Sequence, residues 1–475
     1  MKTNNGFMNS RVEHTKSNQL DQIGCTKREG DHAVHGPPNS QSFPLSTPPR
    51  SFRSAQPPSP MHSPAPAAGA ASVLPKDSRP LPYLLLVSLL LLLLLHFLSS
   101  SSPSTPAPPD APHRAPLPAG AVSAGPAPPA LAFLLTGSAG DADRLHRLLL
   151  ATYHPRNLYL LLLDRAAPAS DRVRLAREVR AGPGRAGNVH VVGDPGFANP
   201  RGASALAAAL HGASLLLQLG QGWDWFVHLD AGDYPLVAPD DLLHVLSYLP
   251  RDINFIQHTS YIGWKESRHI RPIVVDPGLY LSSRTDIFYA TQKRELPSAY
   301  KLFTGSSSVI LSRAFTEYCI VGTNNLPRTM LMYYTNMPLP HKKYFQTVLC
   351  NSPKFNRTVV NHDLHYWASD ETSKNEPRLL TLTDAENMTT SSAAFGTRFA
   401  KDDPVLDHID EEILQRMTGE PAPGGWCIGV GDDSPCSVSG STDVLRPGPA
   451  AVKLAKFLAQ RLSYPGFYSQ QCVWD

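Results

Sequence analysis

Hydrophobic residues follow regular secondary-structure spacings from about residue 130 onward. Leu131–Leu135 is a short apolar run typical of a buried strand, and Asp141–Tyr153 repeats its leucines at helical spacing. Leu158–Leu163 is a second apolar run of strand length. Together the three segments predict one βαβ unit.

The alternation of strand-like and helix-like segments continues toward the C-terminus. The further predicted strands are Asn188–Val192, Phe226–Leu229, Ile253–His258 and Val309–Leu311. The further predicted helices are Gly202–Leu217, Glu411–Met417 and Val452–Leu462. Short strands that alternate with helices are typical of a mostly parallel sheet with helices on both faces. We therefore predict an α/β fold for residues 131–475.

Two carboxylates, Asp230 and Asp233, directly follow the strand Phe226–Leu229, in a turn that Pro235 closes. Ligands of open α/β sheets bind beyond the carboxyl ends of the strands, so this turn is a candidate catalytic site. A structural role is the alternative, in which Asp230 starts the turn and Asp233 caps the next helix.

Polar residues also follow the first two strands. Thr136 opens a glycine-containing loop and is a candidate substrate-binding residue. Asp164 ends the second strand, and two interpretations of it stand side by side. It binds a ribose or uridine hydroxyl of a nucleotide, or it caps the next helix.

The first 130 residues differ in composition from the rest of the chain. Residues 1–80 are polar and then rich in proline, alanine and serine, which predicts a disordered tail. Leu81–Leu98 is dominated by leucine without Asp, Glu, Lys or Arg, which predicts a single membrane-spanning helix. Lys76 and Arg79 precede this run and place the tail in the cytosol, as in a type II anchor. Residues 99–130 are a proline-rich stem before the lumenal domain.

Charge and cysteine content narrow the class of protein. A net charge of +3, without a dense Lys/Arg cluster, argues against a nucleic-acid partner. The five cysteines beyond the leucine run have spacings unlike those of a zinc site. In an oxidising lumen they predict two disulfides and one free thiol. Sequons at Asn356 and Asn387 agree with an N-glycosylated lumenal domain.

Several long stretches resemble the plant branch of the family 14 glycosyltransferases. This family includes the core-2 and I-branching β-1,6-N-acetylglucosaminyltransferases and, in plants, the β-glucuronosyltransferases that act on arabinogalactan. The stretches that carry the resemblance are LATYHPRNLYLLLLD at 150–164, WDWFVHLDAGDYPLVAPDDLLH at 223–244, HTSYIGWKESRHIRPIVVDPGLY at 258–280, FYATQKRELPSAYKLFTGSSSVILSR at 288–313, LPRTMLMYYTNM at 326–337 and VVNHDLHYW at 359–367.

The resemblance implies a GT-A-like domain, a UDP-sugar donor, inversion at the anomeric carbon and residence in the Golgi apparatus. It implies transfer of a sugar, in the plant enzymes glucuronic acid, to galactan chains of arabinogalactan proteins of the plant cell wall. N-acetylglucosamine is the donor sugar of other family members. No metal cofactor is implied, because basic side chains neutralise the leaving diphosphate in this family.

The resemblance also assigns residues. A phosphate-binding lysine of the family lies in a Phe-Ala-Asn-Lys-Phe stretch, which corresponds to Phe395–Phe399, so Arg398 is implied to bind the diphosphate. Arg378, in the preceding Pro-Arg-Leu-Leu-Thr segment, is a second candidate. The acceptor-side candidates combine an aromatic ring with polar groups in loops: Trp264, Lys265, Glu266, Arg284 and Lys301. A core position of Trp264 is an equal alternative to stacking on a sugar ring.

Several positions depart from the family pattern, among them Gly305–Ser308, which reads Gly-Ser-Ser-Ser where the family has Gly-Ser-Ala-Trp. Asp230 and Gly232 stand where family members carry serines. Lys342 stands where the family has its general-base glutamate, two residues before Tyr344. The candidates for the catalytic role in proton transfer are therefore Asp230, Asp233 and Lys342.

These departures leave two alternatives. Without the glutamate, the chain could be a non-catalytic glycan- or UDP-sugar-binding protein that acts as a partner of paralogous transferases. Separately, Asp230 and Asp233 could hold Mn²⁺ or Mg²⁺ against phosphate oxygens, since two carboxylates in one turn suit such ions. A role of Asp230 in hydrogen bonding to loop amides is favoured over this metal site.

Overall fold

A seven-stranded sheet lies at the centre of the part of the chain that the computed structural model describes. The described residues are 126–182, 186–263, 268, 270–282, 286–370, 377–430, 435–463, 465–469 and 471–472. The predicted tail, the run Leu81–Leu98 and most of the predicted stem lie outside them. No helix within the described ranges is both long and apolar enough to span a membrane.

The elements have the following bounds. The strands are β1 Leu131–Gly137, β2 Leu158–Leu163, β3 Val189–Val191, β4 Trp225–Asp230, β5 Asp233–Pro235, β6 Asn254–Phe255, β7 His258–Thr259, β8 Pro272–Val275, β9 Phe288–Lys293, β10 Thr304–Gly305, β11 Val309–Ser312, β12 Val359–Val360, β13 His365–Tyr366 and β14 Phe395–Thr397. The α-helices are α1 Ala142–Thr152, α2 Ala169–Ala181, α3 Ala203–Leu219, α4 Pro239–Ser247, α5 Arg313–Ile320, α6 Asn325–Tyr334, α7 Tyr344–Asn351, α8 Ala385–Thr390, α9 Pro404–His408, α10 Pro449–Leu462 and α11 Gly466–Ser469.

The central sheet has the strand order β12-β6-β11-β4-β1-β2-β3. Its neighbouring strands pair in parallel except at β11, which runs antiparallel to both β4 and β6. This arrangement confirms the predicted mostly parallel α/β sheet. A smaller sheet, β13-β14-β5, starts from the turn that follows β4 and covers that end of the central sheet.

Helices pack on both faces of the central sheet, as predicted. Alternate residues of β4 point in opposite directions: Trp225, Val227 and Leu229 pack with α1, α2, α4 and α10. Phe226 points to the other face, which α3, α5, α6 and α7 cover. Buried apolar side chains on both sides of the strands explain why the strands read as continuous hydrophobic runs.

Some predicted bounds need correction. β1 runs two residues beyond Leu135, so that Thr136 lies in the strand and not in the loop. The predicted helix Glu411–Met417 is wrong, because α9 begins at Pro404 and continues as π-helical turns only to Ile413. Its start is set by Asp403, whose side chain accepts a hydrogen bond from Val405 N, with proline at the first helical position.

The predicted cysteine pattern is confirmed. Disulfides join Cys350 to Cys472 and Cys427 to Cys436, and Cys319 is the free thiol among the described residues.

Candidate active site

The turn between β4 and β5 is held by its own two carboxylates. Asp233 Oδ2 accepts a hydrogen bond from Asp230 N at 2.8 Å, and Asp230 Oδ1 accepts one from Gly232 N at 3.1 Å. Asp230 therefore does have the turn-forming role. The alternative that Asp233 caps the next helix is wrong, because the N-cap of α4 is Ala238, whose N–H donates to Asp241.

Asp233 is the first residue of β5, in the small sheet, and its side chain is buried. The register of β5 and β14 places Thr397 opposite Asp233, and β13 brings His365 Nε2 to 4.0 Å from Asp233 Oδ2. The other ring nitrogen, Nδ1, lies 2.8 Å from Asp363 O and so carries the proton that it donates there. Burial raises the pKa of Asp233, against the opposing effects of His365 and Thr397.

Asp230 differs from Asp233 because its side chain reaches solvent. Its second carboxylate oxygen, Oδ2, makes no hydrogen bond with a described residue. Protein atoms nevertheless surround this end of β4 and displace part of the hydration of the carboxylate. This desolvation and the neighbouring charge of Asp233 raise the pKa of Asp230 to about 6. Asp230 is thus an accessible group that changes charge near neutral pH.

Arg398 lies directly over this turn. Its backbone is fixed on both sides: Leu380 N donates to Arg398 O at 2.8 Å, and Phe399 N donates to Gly232 O at 2.9 Å. A Cβ built on Gly232 would lie 3.5 Å from Arg398 Cγ, an ordinary van der Waals distance, so the Arg398 side chain runs close beside the glycine. The Arg398 side chain is exposed and has no hydrogen bond or ion pair with a described residue.

Arg144, which sequence reasoning missed, supports the same segment. Its Nη2 donates to Phe399 O at 2.9 Å, and its Nη1 donates to Asp141 Oδ1 at 3.0 Å. The Nη2 atom would also lie 3.5 Å from a Cβ at Gly232, so Arg144 and Arg398 flank the glycine. The sequence does place Arg144 in the first turn of α1, directly after the loop that follows β1, and this position could have indicated a residue near the site.

Arg378 is engaged elsewhere. Its Nη1 and Nη2 donate to the two carboxylate oxygens of Asp384 at 2.8 and 2.6 Å, as a two-bond ion pair. Arg378 Nη1 also donates to Leu379 O. The structure therefore gives Arg378 a buried carboxylate as partner and leaves Arg398 as the arginine that is free to meet a ligand.

Thr136 and His228 meet at the ends of β1 and β4. Thr136 Oγ1 lies 3.1 Å from His228 Nε2, and Thr136 is the register partner of Asp230. His228 precedes Asp230 by two residues and so lies on the same face of the sheet. Burial, and to a lesser extent His365, lowers the pKa of His228 to about 4, so the ring is neutral at physiological pH.

Asp164 is a buried junction between loops. Its carboxylate accepts hydrogen bonds from Ser138 Oγ at 2.9 Å, Ala166 N at 3.1 Å and Ala198 N at 3.3 Å. The capping alternative is wrong, because the N-cap of α2 is Pro168. Asp164 orders the loops that follow β1, β2 and β3, which are the loops that would surround a nucleotide at this edge.

Lys342 ends a 3-10 turn, Pro340–Lys342, that leads into α7. The side chain is half-buried and has no hydrogen bond or ion pair with a described residue. Next to it, burial and the charges of Lys342 and Lys343, with a smaller effect of His228, lower the pKa of His341 to about 3. Just before this turn, Leu339 N donates to Arg201 O at the start of α3, which follows β3, so the turn lies at the carboxyl end of the parallel strands.

Several sequence candidates stay untested. Trp264, Lys265, Glu266 and Arg284 lie outside the described residues. Lys301 is half-buried, and its N–H donates to Asn351 Oδ1.

The proposed two-carboxylate metal site finds no third protein ligand in the described ranges. There, the only three His, Cys, Asp or Glu side chains with ligand atoms within 4.8 Å of one another are His258, Cys350 and Cys472. Two of these three are joined as a disulfide. Asp230 and Asp233 would therefore need water or phosphate oxygens to complete the coordination of an ion.

Comparison with known proteins decides the family. A family model described as Core-2/I-Branching enzyme matches residues 131–391. This chain belongs to the Core-2/I-branching enzyme family. The match includes β1 and the Asp230 turn and ends shortly before β14 and Arg398, and it confirms the resemblance seen in the sequence. The Core-2/I-branching enzymes are glycosyltransferases, and the chain is a member of that enzyme class.

Relatives within and beyond plants share this domain. The chain is 48% identical to the beta-glucuronosyltransferase GlcAT14A of Arabidopsis thaliana over 355 residues, which cover 74% of this chain and 79% of that protein. It is 44% identical to the beta-glucuronosyltransferase GlcAT14C of Arabidopsis thaliana, over 72% of this chain and 85% of that protein. The xylosyltransferase 1 of Rattus norvegicus is 31% identical over 50% of this chain and 28% of that protein.

Proposed function

We propose that this protein transfers glucuronic acid from UDP-glucuronic acid to galactan side chains of arabinogalactan proteins. The observation that carries the proposal is the identity of 48% to a protein named beta-glucuronosyltransferase over most of both chains. A GT-A-like domain agrees with the mostly parallel sheet and with polar residues at the ends of β1, β2 and β4.

The nucleotide end of the donor would occupy the edge where Asp164 orders the loops and Arg398 faces solvent. When the acceptor hydroxyl attacks the anomeric carbon, the bond to UDP breaks and negative charge develops on the leaving diphosphate. A guanidinium aimed at those oxygens lowers the barrier without a metal ion. We therefore propose a metal-free reaction with Arg398 in the charge-neutralising role.

The attack also requires a group that accepts the proton of the acceptor hydroxyl. Lysine side chains are cations at neutral pH, so Lys342 does not suit this role. Asp233 is buried and hydrogen-bonded, whereas Asp230 is exposed and has a carboxylate oxygen without a partner among the described residues. Asp230 is the proton acceptor that we propose.

Turnover of UDP-glucuronic acid by the full-length protein tests the function, with β-galactan oligomers as acceptor and with or without chelator. We expect chelator-insensitive release of UDP and a glucuronate-bearing oligomer. Binding of UDP without turnover of any UDP-sugar would instead favour the non-catalytic alternative, in which the protein assists paralogous transferases. Activity that only Mn²⁺ or Mg²⁺ restores would favour a metal held by Asp230 and Asp233.

We further propose that Leu81–Leu98 anchors the protein in the Golgi membrane with the catalytic domain in the lumen. Of the two sequons, Asn387 is exposed on α8, whereas Asn356 is half-buried with its Oδ1 atom enclosed. Asn387 is therefore the glycan site that we favour. Protease treatment of sealed Golgi vesicles should spare the glycosylated domain, and its digestion there would reverse the topology.

A further inference from the structure

Lys342 is a half-buried cation without a protein counter-charge. It makes no ion pair or hydrogen bond with a described residue, and the chain contains no Asp or Glu between Glu317 and Asp363. Lys343, the next residue, is a second cation and is buried, with its Nζ 3.4 Å from Leu339 O. Cations that are removed from water are normally paired with an anion.

The turn that carries Lys342 is fixed at the edge of the candidate site. Leu339 N donates to Arg201 O at 2.9 Å just before α3, and Thr347 N donates to Lys343 O at 2.9 Å as α7 begins. Because α3 follows β3, it begins at the carboxyl edge of the parallel strands, which is the edge where Asp230 ends β4.

The same turn presents a second unused polar atom. His341 Nδ1 is buried and has no hydrogen-bond partner among the described residues. Burial, together with the charges of Lys342 and Lys343, lowers the pKa of His341 to about 3 and keeps the imidazole neutral. A neutral ring can donate one hydrogen bond, so the turn offers one cation and one neutral donor. Buried polar atoms without partners in a protein are often completed by a ligand.

We propose that Lys342 binds the carboxylate of a glucuronate unit, so that the position distinguishes acidic from neutral sugars. This inference rests on the proposed function and extends it to the choice of sugar. UDP-glucuronic acid has two anionic parts, a diphosphate and a carboxylate. Arg398 and Lys342 are two cations of the site that lack a partner within the described residues. Arg398 lies at the turn assigned to the diphosphate, which leaves Lys342 for the carboxylate.

Two sources of this carboxylate have the same chemistry: the donor sugar, and a glucuronate already attached to the acceptor chain. Binding calorimetry on the detergent-solubilised full-length protein separates them without requiring turnover. The first arm compares UDP-glucuronic acid with UDP-glucose, which has a hydroxymethyl group in place of the carboxylate. The second arm compares a galactan oligomer that ends in glucuronate with the same oligomer without it.

The variants are Lys342→Met, Lys342→Arg and, as a matched control, Lys456→Met at an exposed position of α10. Loss of a charge-assisted hydrogen bond typically weakens binding at least about tenfold. We expect Lys342→Met to bind the acidic ligand of one arm about tenfold more weakly and so to lose its preference for that ligand over the neutral one. The affinity for UDP should be unchanged. Lys342→Arg should retain the preference, because it keeps the positive charge, and Lys456→Met should behave as the wild type.

The arm that responds identifies the source of the carboxylate. An unchanged preference in both arms after Lys342→Met, with UDP still bound, would overturn the inference and leave the proposed function standing. If Lys342→Met loses UDP binding altogether, the Lys342→Gln variant is measured in its place, and the same criterion applies. Failure of the wild type to bind any UDP-sugar would instead refute the proposed function itself.

Discussion

Asp230 and Asp233 lie in one four-residue turn, yet their surroundings give them different chemistry. Asp233 is 5% exposed, and its carboxylate accepts hydrogen bonds from Asp230 N and Thr397. His365 Nε2 lies 4.0 Å from the same carboxylate. Asp230 reaches solvent and has one oxygen without a partner in the described part of the chain. One carboxylate of the turn is thus structural and the other accessible, which is the arrangement that the proposed role of Asp230 as proton acceptor requires.

Replacement of Asp230 by asparagine tests its role as proton acceptor. We expect Asp230→Asn to lower kcat about 100-fold or more, the usual contribution of a general base. UDP affinity should stay the same, because asparagine keeps the Oδ1 atom that accepts the hydrogen bond from Gly232 N and so preserves the turn. In the wild type, kcat should fall as the pH drops below about 6, where Asp230 takes up a proton, and should level off above it.

The matched control is Asp252→Asn, which removes an exposed carboxylate before β6 and should change neither kcat nor UDP affinity. Loss of UDP binding in Asp230→Asn, together with chelator sensitivity of the wild type, would contradict the base role and support a metal site. Unchanged kcat and unchanged affinity would reduce Asp230 to its turn-forming hydrogen bond.

Arg398 and Arg378 provide a second residue-level test, because only Arg378 has a protein partner. Arg398→Ala should weaken UDP binding at least tenfold, since roughly 2–5 kcal/mol is lost when a buried ligand charge loses its partner. Its thermal midpoint without ligand should match the wild type. Arg378→Ala should do the reverse: it leaves the buried Asp384 unpaired and lowers the midpoint, with little effect on UDP binding.

Thermal denaturation and calorimetric titration of the two variants check both halves of this prediction. Equal UDP affinity in Arg398→Ala would remove Arg398 from the nucleotide site. A larger loss of UDP affinity in Arg378→Ala would mean that the ion pair with Asp384 opens when ligand binds.

Sequence reasoning located the strand-end residues correctly, whereas their roles stay predictions. The strand-end residues Thr136, Asp164 and Asp230 all lie at one edge of the sheet, because parallel strands end together there. Arg144 and His365 were missed because each contacts a residue more than 100 positions away in the sequence. Arg144 contacts Phe399, and His365 contacts Asp233.

The position of His228 in β4 is a signal that sequence reasoning could have used. His228 lies two residues before Asp230, and alternation along a strand places both side chains on one face. The position of the Pro340–Lys342 turn at this edge was beyond reach, because it depends on the hydrogen bond from Leu339 N to Arg201 O, more than 100 residues earlier in the chain.

At the scale of elements, prediction was best for apolar runs with clear limits. Leu158–Leu163 was predicted with the observed bounds, and Val452–Leu462 lacked only the first three residues of α10. Ile253–His258 instead divides into β6 and the start of β7, which belong to two different sheets. Ile256 N still donates to Val360 O of β12, whereas His258 pairs with Gly305 of β10. Pairing partners, not the sequence of the strand itself, decide such a division.

The turn after β4 shows what local rules omit. Asp233–Pro235 reads as a turn, yet it pairs with β14 more than 150 residues later and forms β5. That pairing creates the small sheet that buries Asp233 and carries Arg398 to Gly232. The candidate site therefore depends on the pairing of β5 with β14, which the hydrophobic periodicity of the sequence does not predict.

At the scale of the whole molecule, the two disulfides close loops of very different length. Cys350–Cys472 ties the C-terminal segment to α7, the helix that follows the Lys342 turn, across 122 residues. Cys427–Cys436 closes a separation of only 9 residues. A cross-link stabilises a protein mainly by restricting its unfolded chain, and a longer loop restricts it more.

Removal of each disulfide should therefore have unequal effects on the free energy of unfolding. In the chain-entropy model, the long loop contributes about 5 kcal/mol and the short loop about 3 kcal/mol. The double variant Cys350→Ala/Cys472→Ala should accordingly lose about 2 kcal/mol more than Cys427→Ala/Cys436→Ala in urea denaturation. Cys319→Ala removes the free thiol and should behave nearly as the wild type. An equal or larger loss in the short-loop variant would show that local packing around Cys427, beneath Trp426 and Leu445, dominates over loop closure.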